Sequence, residues 1–220
     1  AVGNLQTALS RPLDVRFALD ELTKLNTQPG PLKGRLDMTR VGIAGHSFGA
    51  WTALAAAGQA SVLPNGKEIQ INDARVKACL AMSSPVSGRE ASYDAAYGRI
   101  RIPCMHMTGT EDVSPLKETT AAERRVPYDH SRLSDQYLMT FAGGNHLLFS
   151  GVTGKNQRDA GYLAMIRALS TAFFDSRLRQ DAAATAWLDD PKGFAAMVGP
   201  AGVYEHRAAA TPAPPAVPKP

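Results

Sequence analysis

Apolar residues cluster in four short runs along the chain, and turn-forming residues follow each run. The runs lie at 41–44, 76–82, 102–108 and 137–142, before glycine, serine, asparagine or aspartate residues. Short apolar runs without polar alternation are typical of strands that are buried on both faces of a sheet. The pattern therefore predicts four buried β-strands.

The remaining stretches contain helical patterns. Helices are predicted at 11–26, 50–57, 157–178 and 182–188, with a further helix from Ser114-Pro115 to about Arg124. Ser10 can cap the first helix, and Pro12 suits its first turn. The first and the longest helix have apolar faces at helical spacing, formed by Val15, Leu19, Leu22 and Leu25 and by Tyr162, Ile166, Leu169 and Phe173.

The repeated order of strand and helix predicts the fold class. Strands that alternate with helices form a mostly parallel sheet, which helices cover on both faces. We therefore expect an α/β protein with one domain over residues 1–205, interrupted by a polar, turn-rich excursion at 60–74. Residues 206–220 are rich in alanine and proline and lack large apolar groups, which predicts a disordered tail.

Composition excludes several classes of partner. The chain has 220 residues and a net charge of +4, with lysine and arginine scattered among acidic residues. Scattered charges favour a solvated surface, so we expect no nucleic-acid partner. No apolar run is long enough to span a membrane, and no metal-ligand motif is present.

Cys79 and Cys104 fall in predicted strands, which favours buried free thiols over a disulfide.

The segment from Val41 to Ala57 contains the strongest candidate chemistry. It joins an apolar strand to an alanine-rich helix through Gly45-His46-Ser47-Phe48-Gly49, a G-x-S-x-G pattern. In a nucleophile elbow the serine occupies such a turn in a strained conformation and holds its hydroxyl above the sheet. We expect a Cβ at either glycine to clash with neighbouring backbone. A purely structural Gly–Ser turn is the alternative interpretation.

Two further candidates also follow predicted strands. A serine hydroxyl needs an adjacent base, and histidine in turn needs a carboxylate to fix its tautomer. Asp112 follows the third strand and His146 follows the fourth, which gives the order Ser47, Asp112, His146. That order is the one found in α/β-hydrolases. Glu111 is an alternative acid, and Asp112 could instead shape a turn.

The chain has four other histidines, and each has a simpler interpretation. His46 lies inside the elbow and is expected to support the site, and His106 lies within a strand and is expected in the core. His130 follows a loop aspartate, and His206 borders the tail. Only His146 is expected in a loop just past a strand, after two glycines that give the loop room to turn.

Three segments together resemble a known family. GHSFGAWTALA, MTGTEDVSP and FAGGNHLLFSG, with RPLDVRFALDEL upstream, are similar to serine α/β-hydrolases described as predicted dienelactone hydrolases, close to the platelet-activating-factor acetylhydrolase group. The resemblance covers about residues 10–205. It implies an α/β-hydrolase catalytic domain with Ser47 as nucleophile, Asp112 as acid and His146 as base. It also implies that the Phe48 N–H forms part of the oxyanion hole.

The resemblance has a limit in specificity and a departure in the number of strands. True dienelactone hydrolases use a cysteine nucleophile, so Ser47 argues against dienelactone specificity. The family sheet has about eight strands, and the four found here resemble the last four. The missing half supplies the second oxyanion N–H in the family. We therefore expect that the domain is incomplete at its N-terminus, and that an N-terminal segment or second chain completes the sheet.

The resulting hypothesis is a serine esterase that needs no cofactor and acts on small esters with short acyl or aromatic groups. Substrate contacts are expected from His46 and from apolar residues near the strand ends, for which core packing is an equal alternative: Phe48, Met82, Val86, Val113 and Leu147. Alternatives are a cutinase-like polyesterase, an acyl transferase and a non-catalytic scaffold. Family habit and the proline-rich tail favour secretion or the periplasm.

Overall fold

The computed structural model describes residues 5–63, 65–86, 90–114, 119–150 and 157–209. Within them the helices are α1 (Leu5–Thr27), α2 (Phe48–Ala57), α3 (Tyr93–Tyr97), α4 (Val126–His130), α5 (Gln157–Arg179), α6 (Ala182–Leu188) and α7 (Pro191–Val198). The strands are β1 (Val41–His46), β2 (Ala60–Val62), β3 (Glu68–Gln70), β4 (Val76–Met82), β5 (Cys104–Glu111), β6 (Gln136–Asn145) and β7 (Gly202–Arg207). The protein is a mixed α/β structure, as predicted.

The central sheet has five strands in the order β1-β4-β5-β6-β7. The first four run parallel, and β7 pairs antiparallel with β6. The four predicted strands are therefore confirmed, while β7 was not predicted. Its sequence, GVYEHR, contains neither an apolar run nor a regular alternation, and in this edge strand only Tyr204 is buried. The polar excursion contains the small antiparallel pair of β2 and β3.

Side chains alternate between two apolar layers along the inner strands. In β4, Ala78 and Leu80 contribute to one buried cluster, whereas Cys79 and Ala81 contribute to the other. The first cluster includes apolar residues of α5, α6 and α7, and the second includes residues of α2 and α3. Helices therefore cover both faces, which explains why these strands are mostly apolar. Cys79 and Cys104 are buried and free, as expected.

The two closing helices agree with the sequence. All four predicted apolar residues of α5 are buried, and two of them, Leu169 and Phe173, are fully buried. The helix α6 begins after Asp181, whose carboxylate accepts a hydrogen bond from the Ala184 N–H at 2.9 Å. This N-cap satisfies a donor that has no partner within the helix. The following helix α7 was not predicted separately.

The first helix differs from its prediction. The helix includes Leu5, so Ser10 lies inside it and donates to the carbonyl of Thr7 rather than capping the helix. Leu19 is buried, but Leu22 and Leu25 of the predicted apolar face are exposed. The opposite side of α1 also exposes Phe17, at 65%. The helix α1 packs against α2. Several of its apolar side chains remain exposed among the described residues.

Several element boundaries also move. Residues 115–118 of the helix expected from Ser114 to Arg124 lie outside the described residues, and a 3-10 turn at Ala122–Arg125 leads into α4. The strands β5 and β6 continue past their predicted ends to Glu111 and Asn145. The strand β7 includes His206 and Arg207, which were assigned to the tail. The tail from 210 onward lies outside the described residues.

The core position of His106 predicts a loss of stability in acid. The ring is 3% exposed, and its Nε2 lies 3.0 Å from the side-chain oxygen of Gln136. Burial lowers the pKa of His106 to about 4. Between about pH 6.5 and about pH 4 the unfolded state therefore binds a proton that the folded state does not. We expect the free energy of unfolding to fall by up to about 3 kcal/mol across this window.

Urea unfolding of His106→Gln at several pH values from 7 to 4 tests this expectation. The variant should lose stability less steeply than the wild type as pH falls, since one proton uptake is removed. Burial also lowers the pKa of His46 and of His206, so a residual slope in the same direction is expected. Parallel curves for wild type and variant would contradict the assignment.

Candidate active site

The serine of the G-x-S-x-G segment lies between the last residue of β1 and the first residue of α2. Ser47 has φ 57° and ψ −124°, a conformation that is strained for a residue with a side chain. Its N–H donates to the carbonyl of Met82 in the neighbouring strand at 2.9 Å. Its own carbonyl accepts from the Ala50 N–H at 2.9 Å, which begins the helix. These bonds hold the predicted strand–turn–helix geometry.

Only one of the two flanking glycines is sterically required. A Cβ on Gly45 would lie 2.2 Å from the carbonyl oxygen of Gly49, a contact that the turn cannot relieve without moving backbone. A Cβ on Gly49 would meet no heavy atom within 4 Å. The prediction of a clash at both positions is therefore wrong for Gly49, because its Cβ position faces open space.

Three side chains form one continuous hydrogen-bonded chain. The Oγ of Ser47 lies 2.9 Å from Nε2 of His146, and Nδ1 of His146 lies 2.9 Å from Oδ1 of Asp112. The second carboxylate oxygen of Asp112 accepts from the Thr108 hydroxyl at 2.9 Å. Asp112 is fully buried and His146 is 9% exposed. The structure thus brings the three predicted residues together.

The ends of β5 and β6 determine how the acid and the base meet. Asp112 directly follows β5, and His146 begins a 3-10 turn directly after β6. The pairing of the two strands shifts register between Gly109 and Glu111, a bulge that redirects the end of β5. A Cβ on Gly109 would lie 2.1 Å from the Gly144 carbonyl oxygen, so the backbones touch there. Glu111, the alternative acid, is exposed.

The hydrogen-bond pattern favours one tautomer of His146. A carboxylate accepts, so the bond to Asp112 requires a proton on Nδ1. Nε2 then has a lone pair that faces the Ser47 hydroxyl. This arrangement lets the imidazole take the hydroxyl proton while the buried carboxylate stabilises the resulting positive charge.

His46 supports the base. Its Nε2 lies 3.0 Å from the carbonyl oxygen of His146, which makes Nε2 the donor, and the two ring centres are 4.8 Å apart. Burial lowers the pKa of His46, and the charge of a protonated His146 would lower it further. A neutral His46 can donate this bond without placing a second cation beside the base. The ring of His46 thus contacts the backbone of His146.

The first group of expected apolar contacts lies beside the nucleophile. Phe48 is half-buried and stacks on Trp51 with ring centres 5.6 Å apart. The guanidinium of Arg11 lies over the Phe48 ring, 4.9 Å from its centre. Met82 packs against the main apolar cluster, so core packing accounts for its side chain.

The remaining expected contacts lie at the open edge of the site. Val86 is half-buried, and its N–H donates to the Thr119 hydroxyl at 3.3 Å. Val113 and Leu147 are 51% and 56% exposed, next in sequence to Asp112 and His146. Val113 and Leu147 are therefore accessible to solvent rather than part of the apolar core.

Three cavities among the described residues are lined by other side chains than the three hydrogen-bonded ones. One of about 480 Å³ lies near the start of β4, and one of about 600 Å³ lies between α5 and α6. The third, of about 270 Å³, lies between the ends of β5 and β6 and the turn before α4. None of the three is lined by Ser47, Asp112 or His146, so the hydrogen-bonded side chains, not cavity size, identify the candidate site.

Two residues at the site were missed by sequence reasoning. Thr108 lies within a predicted strand, where its hydroxyl gave no signal. Arg124 lies in a stretch that resembles the solvated face of a helix, yet its side chain is 1% exposed and contacts Asp112 and His146. Only the tertiary structure shows that this charge is buried.

Two other features, a metal site and a membrane-spanning helix, are absent from the described residues. Among the described residues, no three His, Cys, Asp or Glu side chains are grouped so that they could hold a metal ion. None of the described helices combines the length and apolarity needed to cross a membrane.

A scan against models of known protein families gives no match, and a search of curated proteins finds no relative.

Proposed function

We propose that this chain is a serine esterase with the α/β-hydrolase fold, which hydrolyses carboxylic esters through an acyl-enzyme. The observation that supports the proposal is the unbroken chain of hydrogen bonds from Ser47 through His146 to Asp112, each 2.9 Å long. The strained conformation of Ser47 and the sheet of mostly parallel strands support it further. The elbow and the chain order Ser47, Asp112, His146 are typical of α/β-hydrolases.

The reaction follows from the positions of the three side chains. The Ser47 oxygen attacks the ester carbonyl carbon while Nε2 of His146 takes its proton. The tetrahedral intermediate then collapses, and His146 returns the proton to the leaving alcohol. Water enters, His146 removes a proton from it, and the new hydroxide attacks the acyl carbon. Collapse of this second intermediate releases the acid and restores the Ser47 hydroxyl.

The developing oxyanion needs donors beside the nucleophile. Phe48 is the first residue of α2, where backbone N–H groups have no partner within the helix. The positive end of the helix dipole also lies here. We assign the Phe48 N–H as one donor of the oxyanion hole. A single such donor contributes on the order of a hundredfold to turnover.

The surface beside the triad supports a class of substrates. Phe48, Val113 and Leu147 offer apolar contacts without enclosing a long chain. We propose that the substrates are small esters with short acyl or aromatic groups. The exposed border of the site also suits a cutinase-like action on polymer chains, which need an open surface.

Fluorophosphonate labelling together with p-nitrophenyl butyrate hydrolysis tests the proposal. We expect one label on the chain, located on Ser47 by mass spectrometry of its peptides, and loss of hydrolysis in proportion to labelling. Ser84→Ala removes a neighbouring buried serine and is the matched control, with labelling and hydrolysis retained. A folded wild-type chain that neither labels nor hydrolyses the ester would overturn the proposal.

A second candidate, a non-catalytic scaffold that binds another chain, is favoured by one observation. The strand β1 pairs with β4 on one side only among the described residues, and α1 exposes Leu13 and Phe17 nearby in sequence. Open strand edges and apolar patches are typical places of association. We propose that a further segment or chain pairs with this edge, and the labelling result separates a scaffold from an enzyme.

A further inference from the structure

Arg124 is a buried cation at the candidate active site. It lies in the 3-10 turn at Ala122–Arg125, and its side chain is 1% exposed. Burial of an arginine is costly unless carboxylate and carbonyl groups satisfy its charge and its donors. Burial lowers the pKa of Arg124 and Asp112 raises it, but a guanidinium stays protonated in proteins. The position of this charge therefore needs an explanation.

The guanidinium joins three separate loops. Its Nη1 donates to the Ser83 carbonyl at 2.8 Å, in the loop after β4. Its Nε donates to the Asp112 carbonyl at 3.1 Å and lies 3.4 Å from Oδ1 of the same residue, after β5. Its Nη2 lies 3.3 Å from Nδ1 of His146, after β6. One side chain thus connects the ends of three neighbouring strands.

The contact at Ser83 holds a strained residue. Ser83 has φ 52°, and its N–H donates to the Met107 carbonyl at 2.8 Å. Together with the bond from Arg124, both backbone groups of this turn are fixed. The turn is next in sequence to β4, whose Met82 carbonyl accepts from the Ser47 N–H. Arg124 is therefore connected to the nucleophile loop as well as to the acid.

The contact at His146 competes with the one that the reaction needs. Nδ1 can donate to Asp112 or accept from Arg124, but it cannot do both. Donation to Asp112 leaves the Nε2 lone pair for the Ser47 proton, whereas acceptance from Arg124 would place the proton on Nε2. The shorter distance to Asp112, 2.9 Å against 3.3 Å, favours the productive tautomer.

We propose that Arg124 is a positioning residue that fixes Asp112 against His146. The inference rests on the proposed function. The planar fork of donors on the guanidinium bonds the Ser83 and Asp112 carbonyls while it lies against His146, a geometry that a lysine ammonium cannot reproduce. Among the described residues, Asp112, Arg124 and His46 are the charged or titratable groups shown against His146.

Two variants distinguish the hydrogen-bond donors of the Arg124 guanidinium from its positive charge. Arg124→Met removes both, and we expect kcat for p-nitrophenyl butyrate to fall by roughly a hundredfold with KM within about twofold. Arg124→Lys keeps the charge but loses the fork, so kcat should fall by roughly tenfold, again with little change in KM.

A purely structural role predicts a different result. Loss of folded protein would lower only the active fraction, which titration with a fluorophosphonate measures, and kcat per labelled site would stay at its wild-type value. An unchanged kcat per labelled site in folded Arg124→Met would therefore overturn the inference. If Arg124→Met fails to fold, Arg124→Lys decides the inference, because retained wild-type kcat there would also overturn it.

A measurement without turnover keeps the inference separate from the proposed function. The Nδ1–H proton of His146 that is hydrogen-bonded to Asp112 should give a strongly deshielded resonance in the proton NMR spectrum of the resting protein. Asp112→Asn assigns it by its loss. We expect the resonance to broaden or disappear in Arg124→Met and in Arg124→Lys. Its persistence in both variants would overturn the positioning role, whether or not the wild type hydrolyses esters.

Discussion

Replacement of Ser47 by alanine is expected to lower kcat for p-nitrophenyl butyrate by roughly 10⁶-fold. Replacement of His146 by alanine should lower it about as much, and the double variant should lose no more. The two groups act as one unit because the 2.9 Å contact transfers the proton that makes the serine nucleophilic. A serine without its base and a base without its serine are equally ineffective.

Steady-state kinetics on the two single variants and the double variant measure this coupling. Ser84→Ala and His130→Ala are matched controls, since Ser84 donates to the Pro85 carbonyl and His130 pairs with Asp94. Both should retain wild-type turnover. Losses that multiply in the double variant would show that the two residues act independently, which is incompatible with a triad.

Replacement of Gly45 by alanine is expected to abolish activity and to reduce the free energy of unfolding by several kcal/mol. The added methyl would lie 2.2 Å from the Gly49 carbonyl oxygen, in a turn whose backbone is fixed by bonds to Met82 and Ala50. Relief of the clash must move Ser47, and a shift of about 1 Å is enough to cost roughly a hundredfold in rate.

Gly49→Ala is the matched control for this prediction. Its Cβ would meet no heavy atom within 4 Å, and alanine favours the helix by up to about 1 kcal/mol over glycine. Urea unfolding and the ester assay should therefore separate the two variants, with Gly49→Ala folded, active and at least as stable as the wild type. Equal damage in both would contradict the steric account of the elbow.

The sequence predicted the parts of the fold that depend on burial. Strands that are covered on both faces consist mostly of apolar residues. The strands at 76–82 and 137–142 could therefore be recognised as apolar runs in the sequence. The helix α5 was visible because its buried stripe includes Leu169 and Phe173 at helical spacing. Ser47, Asp112 and His146 were found because parallel strands bring their carboxyl ends to one edge of the sheet.

The missed features depend on contacts between distant segments. The edge strand β7 buries Tyr204 and leaves its other side chains more accessible, so its pattern is weak. The role of Arg124 depends on three loops that meet only in the folded chain. The steric need at Gly109 comes from Gly144, which is distant in sequence. No local propensity encodes such contacts.

The contact between Gly109 and Gly144 has a consequence for protein engineering. Here backbone touches backbone, so the separation of the strand ends that position Asp112 and His146 is limited by peptide groups and not by side chains. Apolar residues of the layers beneath can then be exchanged for others of similar volume while the spacing of acid and base stays the same. Libraries of core substitutions directed at those layers should therefore leave the distance between Asp112 and His146 unchanged.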